Sequence, residues 1–206
     1  MEKSASKARD LRKLKFAYPA ISERIQVKCG DANDELINFC RERNWKKWRA
    51  VVFLDPYGNQ VSWKTLEEVA KTKAIDLWYL FPAGPGVHRQ ISDLGVVDPT
   101  HTESLDRLMG THEWATQFVE VEPIPDLFDD RRLRSTKTAT VDYITEYMIK
   151  RMTALFNCGV LDEWLPLSTK GIKYSLIFAS ANPAAWKLAS RLAKGVLRST
   201  KRGRTK

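Results

Sequence analysis

The sequence predicts an α/β fold in which strands alternate with helices and a mostly parallel sheet is closed by an antiparallel hairpin. Three observations carry this. Ala50-Val51-Val52-Phe53-Leu54 is an unbroken apolar run that stops at Asp55-Pro56-Tyr57-Gly58, and such a run reads as a strand buried on both faces. Ile75 to Phe81 is a second strand, stopped by Pro82-Ala83-Gly84-Pro85-Gly86. Near the carboxyl end, Val160 to Leu167 and Tyr174 to Ala179 read as strands with only Ser168 to Lys173 between them. That link is too short for a helical crossover, so the pair is expected to be a hairpin.

The remaining elements follow in order. Ser4 to about Tyr18 mixes basic residues with Leu11, Leu14 and Phe16, a helical pattern with Ser4 as cap and Pro19 as its stop. Arg24 to Cys29 alternates like a short strand, and Gly30-Asp31-Ala32-Asn33 turns into a helix carrying Leu36, Ile37, Phe39 and Cys40. Asn59 or Ser62 caps the next helix, with Leu66, Val69 and Ala70 inward. Residues 87–137 read as an irregular insertion with helical pieces at Glu103–Met109 and Trp114–Phe118 and a polar run, Asp129 to Arg132. Ala139 to Asn157 is a long helix, and Asn182-Pro183 opens the last one. Together these make one domain over 1–195 and a basic tail, 196–206, expected to be disordered.

Composition narrows the function classes. At 206 residues, 43% hydrophobic and 29% charged, the chain can bury a core. No apolar run approaches the ~18 residues of a membrane span, and Met1-Glu2-Lys3-Ser4 begins no signal segment, so a cytoplasmic protein is expected. Cys29, Cys40 and Cys158 form no Cys-x-x-Cys pair and show no metal-ligand spacing with His88, His101 or His112. Buried structural thiols are expected, and no metal. The net charge is +9, and Ala184 to Lys206 contributes eight basic residues and no acid. The rest of the chain is therefore nearly neutral. A basic end suits phosphate backbones through counterion release; a solubilising tail is the equal alternative.

The parallel sheet with its closing hairpin resembles the class I S-adenosylmethionine methyltransferase fold, which is Rossmann-like. Within it, the local words resemble the three-Cys-motif partner (TcmP) family. These words are Cys29-Gly30-Asp31-Ala32-Asn33, Val52 to Gly58, Ile75 to Pro82, Leu105 to Thr111 with Trp114, and Pro166-Leu167 ahead of Tyr174 to Ser180. The resemblance runs in order along nearly the whole chain. It implies S-adenosylmethionine as cofactor and, as a partner, a protein bearing a three-cysteine motif. It also implies that Met1 to Ser4 ends the fold's second strand, so that the scaffold is N-terminally incomplete and lacks the strand with the glycine loop. The alternative is a sheet rearranged to close the gap. No GxGxxG-like stretch replaces that loop.

The resemblance assigns Glu2 to the ribose hydroxyls and Asp31 with Ala32 to the adenine side. Asp31 is equally well suited to capping the helix that begins at Ala32. Asp55, Pro56 and Tyr57 resemble the Asp-Pro-Pro-Tyr word of amino-methyltransferases, in which a carboxylate and a carbonyl accept hydrogen bonds from a target amine while the ring stacks on the base. One proline is missing here, and an ordinary strand-to-turn junction explains the same residues. Asp76, inside an apolar strand, needs a partner or an edge position. His88 and Arg89 are candidates for an anionic ligand, or else a solvated loop. Trp63, Trp78, Trp114, Trp164 and Trp186 read as core or interface aromatics. Arg198, Lys201, Arg202 and Arg204 are the nucleic-acid candidates. Two functions follow: methyl transfer to nucleic acid, or a non-catalytic binding or partner protein that has lost cofactor competence. No membrane partner is expected.

Overall fold

Ser4 opens the first helix because its hydroxyl accepts the Lys7 N–H at 3.4 Å, satisfying a donor the helix start leaves free. The structure is a computed structural model that describes residues 1–91, 97–123, 133–169 and 172–203. It divides into two compact units, Met1–Asn44 and Trp45–Lys206. In the first unit, α1 (Ala5–Arg12) and α2 (Leu14–Ala17) split at Lys13 the single helix expected to reach Tyr18, and Pro19–Arg24 continue as a 3-10 turn. The strand expected over Arg24 to Cys29 does not form. Ile25 and Val27 are half-buried and Gln26 and Lys28 exposed, as the alternation predicts. However, the segment meets another only at a parallel bridge between Glu2 and Cys29, and a single bridge is too short to hold a ladder. α3 (Ala32–Glu42) buries Leu36, Ile37 and Cys40.

The second unit begins with β1 (Ala50–Leu54), α4 (Trp63–Lys71) and β2 (Ile75–Phe81), a βαβ unit whose strands pair in parallel. Ser62, not Asn59, caps α4 by accepting the Thr65 N–H. α5 (Pro99–Met109) and α6 (Trp114–Phe118) follow, then β3 (Val119–Pro123) and β4 (Leu133–Lys137), a separate antiparallel pair inside the segment predicted to be irregular. The polar run at Asp129 to Arg132 lies outside the described residues. The chain closes with α7 (Val141–Leu155), β5 (Leu165–Thr169), β6 (Ile172–Ser180) and α8 (Trp186–Gly203). Residues 196–203 of the predicted tail are thus helical.

The main sheet has the order β1-β2-β6-β5, and the expected hairpin of β5 and β6 is antiparallel. The expectation of a mostly parallel sheet needs correcting. The sheet is mixed: β1–β2 is its one parallel ladder, and β2–β6 and β6–β5 are antiparallel. β6 lies between β2 and β5 and runs against both, so β1, β2 and β5 share one direction. The physical reason is that β5 returns through a hairpin and β6, not β5, takes the place beside β2. The predicted strand from Val160 also starts late, with Val160 making only an isolated bridge to Ala179. Pro166 is tolerated because β5 is an edge strand.

β1 forms the other edge, and here the sequence reading fails. Val51 and Phe53 are 70% and 59% exposed, so the strand is not buried on both faces. The opposite face is well covered: Ile75, Leu77, Tyr79 and Phe81 of β2 are fully buried, as are Leu66, Leu105, Leu108, Ile144, Met148 and Met152 of the helices. Thr145 of α7 shares a 2.7 Å hydroxyl bond with Ser175 of β6. On the exposed side of the sheet, α8 covers β6 and β5 through Leu161, Leu165, Phe178, Ala193 and Leu197, joined by Trp78 and Trp186. Trp114 is buried and donates its indole N–H to Asp106 at 2.7 Å. Asp76 accepts the Ser180 hydroxyl at 2.6 Å and has no cation paired with it among the described residues. Of the cysteines only Cys40 is buried; Cys29 is exposed and Cys158 intermediate, and none of the three is in a disulfide.

The Tyr79 hydroxyl is fully buried with no hydrogen-bond partner among the described residues, and burial pushes its pKa far up. Removing an unpaired buried donor removes its desolvation cost. Tyr79→Phe is therefore expected to leave stability unchanged or raise it by about 1 kcal/mol in denaturant unfolding. A clear loss would show that the hydroxyl has a partner.

Candidate functional site

Because β1 and β2 run in parallel with Leu54 opposite Tyr79, their carboxyl ends open on the same edge of the sheet. This is the edge where ligands bind in open α/β sheets. Asp55, Pro56 and Tyr57 leave it first, and the segment from Pro82 to Gln90 leaves beside them. Asn59 joins the two. Its side-chain amide donates to the Gly86 carbonyl and to Gln90 Oε1, the latter at 3.0 Å. The Arg107 guanidinium donates to the Asn59 carbonyl at 3.4 Å. Asn59 is 6% exposed, and its Oδ1 has no partner among the described residues.

The glycines here serve packing. A Cβ on Gly86 would stand 2.1 Å from Asn59 Oδ1, and one on Gly84 would stand 2.7 Å from the Lys173 carbonyl oxygen. Gly84-Pro85-Gly86 is therefore a tight corner pressed against β6 and Asn59. On this corner Asp55 and Arg89 are exposed, and Tyr57 is 89% exposed. The rim presents a carboxylate, a guanidinium and an aromatic face to solvent. It can accept and donate hydrogen bonds and stack, and it suits a large partner better than an engulfed small one.

The first unit brings Glu2, Asp31 and Ala32 together. The Glu2 N–H donates to the Lys28 carbonyl at 3.0 Å, and the Gly30 N–H donates to the Glu2 carbonyl at 3.1 Å. Glu2 Oε1 accepts the Ser4 N–H at 2.8 Å. Asp31 Oδ1 accepts the Asn33 N–H at 2.9 Å and the Asn33 side-chain amide at 3.1 Å, while Lys3 stands 3.7 Å from Oδ2. Asp31 is thus the N-cap of α3, the capping role the sequence left open.

The Asn33 N–H is the main cause that holds the Asp31 carboxyl below its ordinary 3.8, with Asn33's side chain and Lys3 helping. A depressed carboxyl stabilises the fold fully above its unfolded pKa, and the contribution fades as pH falls through the lower folded value. An NMR titration of Asp31 should give a midpoint below 3.8, and a midpoint at or above it would contradict the cap.

Among the nucleic-acid candidates, Arg198 is held by Glu163 through bonds of 3.1 and 2.5 Å. Lys201 is exposed, Arg202 belongs to α8, and Arg204 lies outside the described residues. Two surface grooves, of about 820 and 560 Å³, lie elsewhere. Trp63, Tyr147 and Arg151 line the first, and His112 and Trp114 the second. Arg151 lies 4.7 Å over the Trp63 ring and donates to the last carbonyl of α5, that of Met109, at 2.9 Å. No group of three or more metal-ligating side chains occurs among the described residues.

Sequence reasoning missed the role of Asn59 as the bridge between the two rim segments. Its only sequence signal is a polar residue one step past a glycine turn. Neither family models, nor curated proteins, nor solved structures match this chain.

Proposed function

We propose that this chain is a binding protein on a methyltransferase-type scaffold, of the three-Cys-motif partner kind, whose ligand is nucleic acid rather than S-adenosylmethionine. The scaffold reading is supported by the strand order, with one reversed strand set into the closing end of a sheet whose other strands share a direction. The observation that carries the functional reading is that both acids expected to hold the cofactor serve their own backbone. Glu2 caps the turn into α1, and Asp31 caps α3. One oxygen of each carboxylate is thus taken by a helix-start N–H, a bond worth about 1 kcal/mol, and the second oxygen stays an acceptor. Both acids are engaged by their own fold rather than held open for a cofactor.

The second reading, methyl transfer to a base amine, draws on one observation: Asp55, Pro56 and Tyr57 stand together on an open rim where an extruded base has room to stack. Titration calorimetry with S-adenosylmethionine separates the two. The expected result is no binding in the micromolar range. Micromolar binding that weakens in Asp31→Ala would restore the methyltransferase reading.

A further inference from the structure

α8 carries its charge on one side. Lys187, Arg191, Lys194, Arg198 and Lys201 recur at i, i+4, i+7, i+11 and i+14, and the helix holds no acid. At 3.6 residues per turn they fall within one arc of about 80° and run about 21 Å along the axis. Three distinct faces result. Ala193 and Leu197 are buried on the sheet. Leu188, Leu192 and Val196, at 53%, 60% and 50% exposure, form an apolar row. The basic arc is centred about 140° away from that row.

The acid-free row of cations, about 21 Å long, points to the class of ligand. Helices that lie on membranes carry their Lys and Arg on the polar face and turn the apolar face into the lipid. Here a lipid surface touching Leu192 would leave Lys194 and Lys201 turned away. A row of cations standing apart from the apolar row suits a rod of phosphates.

Two acids already sit on the middle of the row. Asp162 lies 3.8 Å from Lys194, and Glu163 holds Arg198 with a two-pronged pair. Both precede β5, and the segment that carries them is fastened by Leu161 in the core under α8. Lys187 and Arg191 are exposed and have no ion-pair partner among the described residues.

We propose that the basic row of α8 is a docking face for the phosphate backbone of duplex nucleic acid, with Lys187 and Arg191 as its open end and Asp162 and Glu163 as built-in competitors for the phosphates. This deepens the binding reading above and rests on it. Binding through such a face is salt-dependent and indifferent to sequence. Removing a competing acid frees a cation and strengthens binding, the opposite of what loss of a structural ion pair does.

The test is fluorescence anisotropy of the full chain with a mixed-sequence duplex of about 20 base pairs, roughly two turns of DNA, over a salt series and without cofactor. Lys187→Gln/Arg191→Gln is expected to weaken binding about tenfold near 0.1 M salt and to reduce the log–log salt slope by about 2. Glu163→Gln is expected to tighten binding about threefold and steepen the slope by about 1. Circular dichroism confirms that each variant is folded. If wild type binds duplex but the double variant binds equally well with the same slope, the α8 assignment fails while the nucleic-acid reading stands. Glu163→Gln weakening the complex would overturn the competitor role. If wild type binds no duplex, both fall, and preferential capture of anionic vesicles would replace them with a lipid ligand.

Discussion

Replacing Gly86 with alanine should lower the unfolding free energy by about 2–4 kcal/mol, making it one of the two most damaging single changes considered. The added Cβ would meet Asn59 Oδ1 at 2.1 Å and the Pro82 ring at 2.8 Å. Asn59 cannot step aside, because it is 6% exposed and bonded to Gly86, Gln90 and Arg107. Relief therefore requires the turn after β1 to part from the segment after β2, which dissolves the rim. Gly58→Ala is the control. No atom lies within 4 Å of a Cβ there, and the cost is only that of a φ of 64°, about 1 kcal/mol. Thermal unfolding should rank Gly86→Ala well below Gly58→Ala. Equal melting temperatures would mean that the corner is not packed as described.

Phe178→Ala should cost about 3–5 kcal/mol, the usual range for a buried aromatic. The ring is 2% exposed, lies 4.8 Å from the Trp78 ring, and forms the floor on which Ala193 and Leu197 sit. Its loss leaves a cavity under the middle of α8, a helix that meets the sheet mainly through β6 and β5. Amide exchange over residues 186–203 should accelerate more than exchange in β2. A loss below 1 kcal/mol with unchanged exchange would show that α8 is held some other way.

These two positions also mark what the sequence makes legible. Local chemistry was readable. Ser4 and Ser62 cap helices because a hydroxyl before an apolar-periodic run has one obvious use. α6 spans Trp114–Phe118 as its pattern predicts, and a short loop with one glycine forces the β5–β6 hairpin. Neighbourhood was not readable. Ala50 to Leu54 is apolar throughout, but composition cannot say how many strands or helices flank it, so Val51 and Phe53 turn out exposed. β3 escaped notice although Val119-Glu120-Val121-Glu122 alternates with a period of two, because its partner β4 is largely polar. In the sequence Asn59 is one of two candidate caps, with Ser62, and its true partners, Gly86 and Gln90, lie 27 and 31 residues away.

The candidate site divides in the same way. Asp31 as a helix cap follows from one turn of chain. That Asp55, Tyr57 and Arg89 leave the same sheet edge follows from the parallel β1–β2 ladder, which the alternation of strand and helix predicts. That Glu163 occupies Arg198 depends on a contact 35 residues long in sequence, and the basic tail alone did not disclose it.

The most direct test of a binding scaffold without cofactor is one NMR experiment on the labelled full chain, titrated first with S-adenosylmethionine and then with duplex DNA. The cofactor should leave the amides of Glu2, Asp31 and Ala32 unmoved, and the duplex should shift those of Lys187, Arg191 and their neighbours on α8. Saturable cofactor shifts at Glu2 and Asp31, with α8 silent toward the duplex, would contradict it.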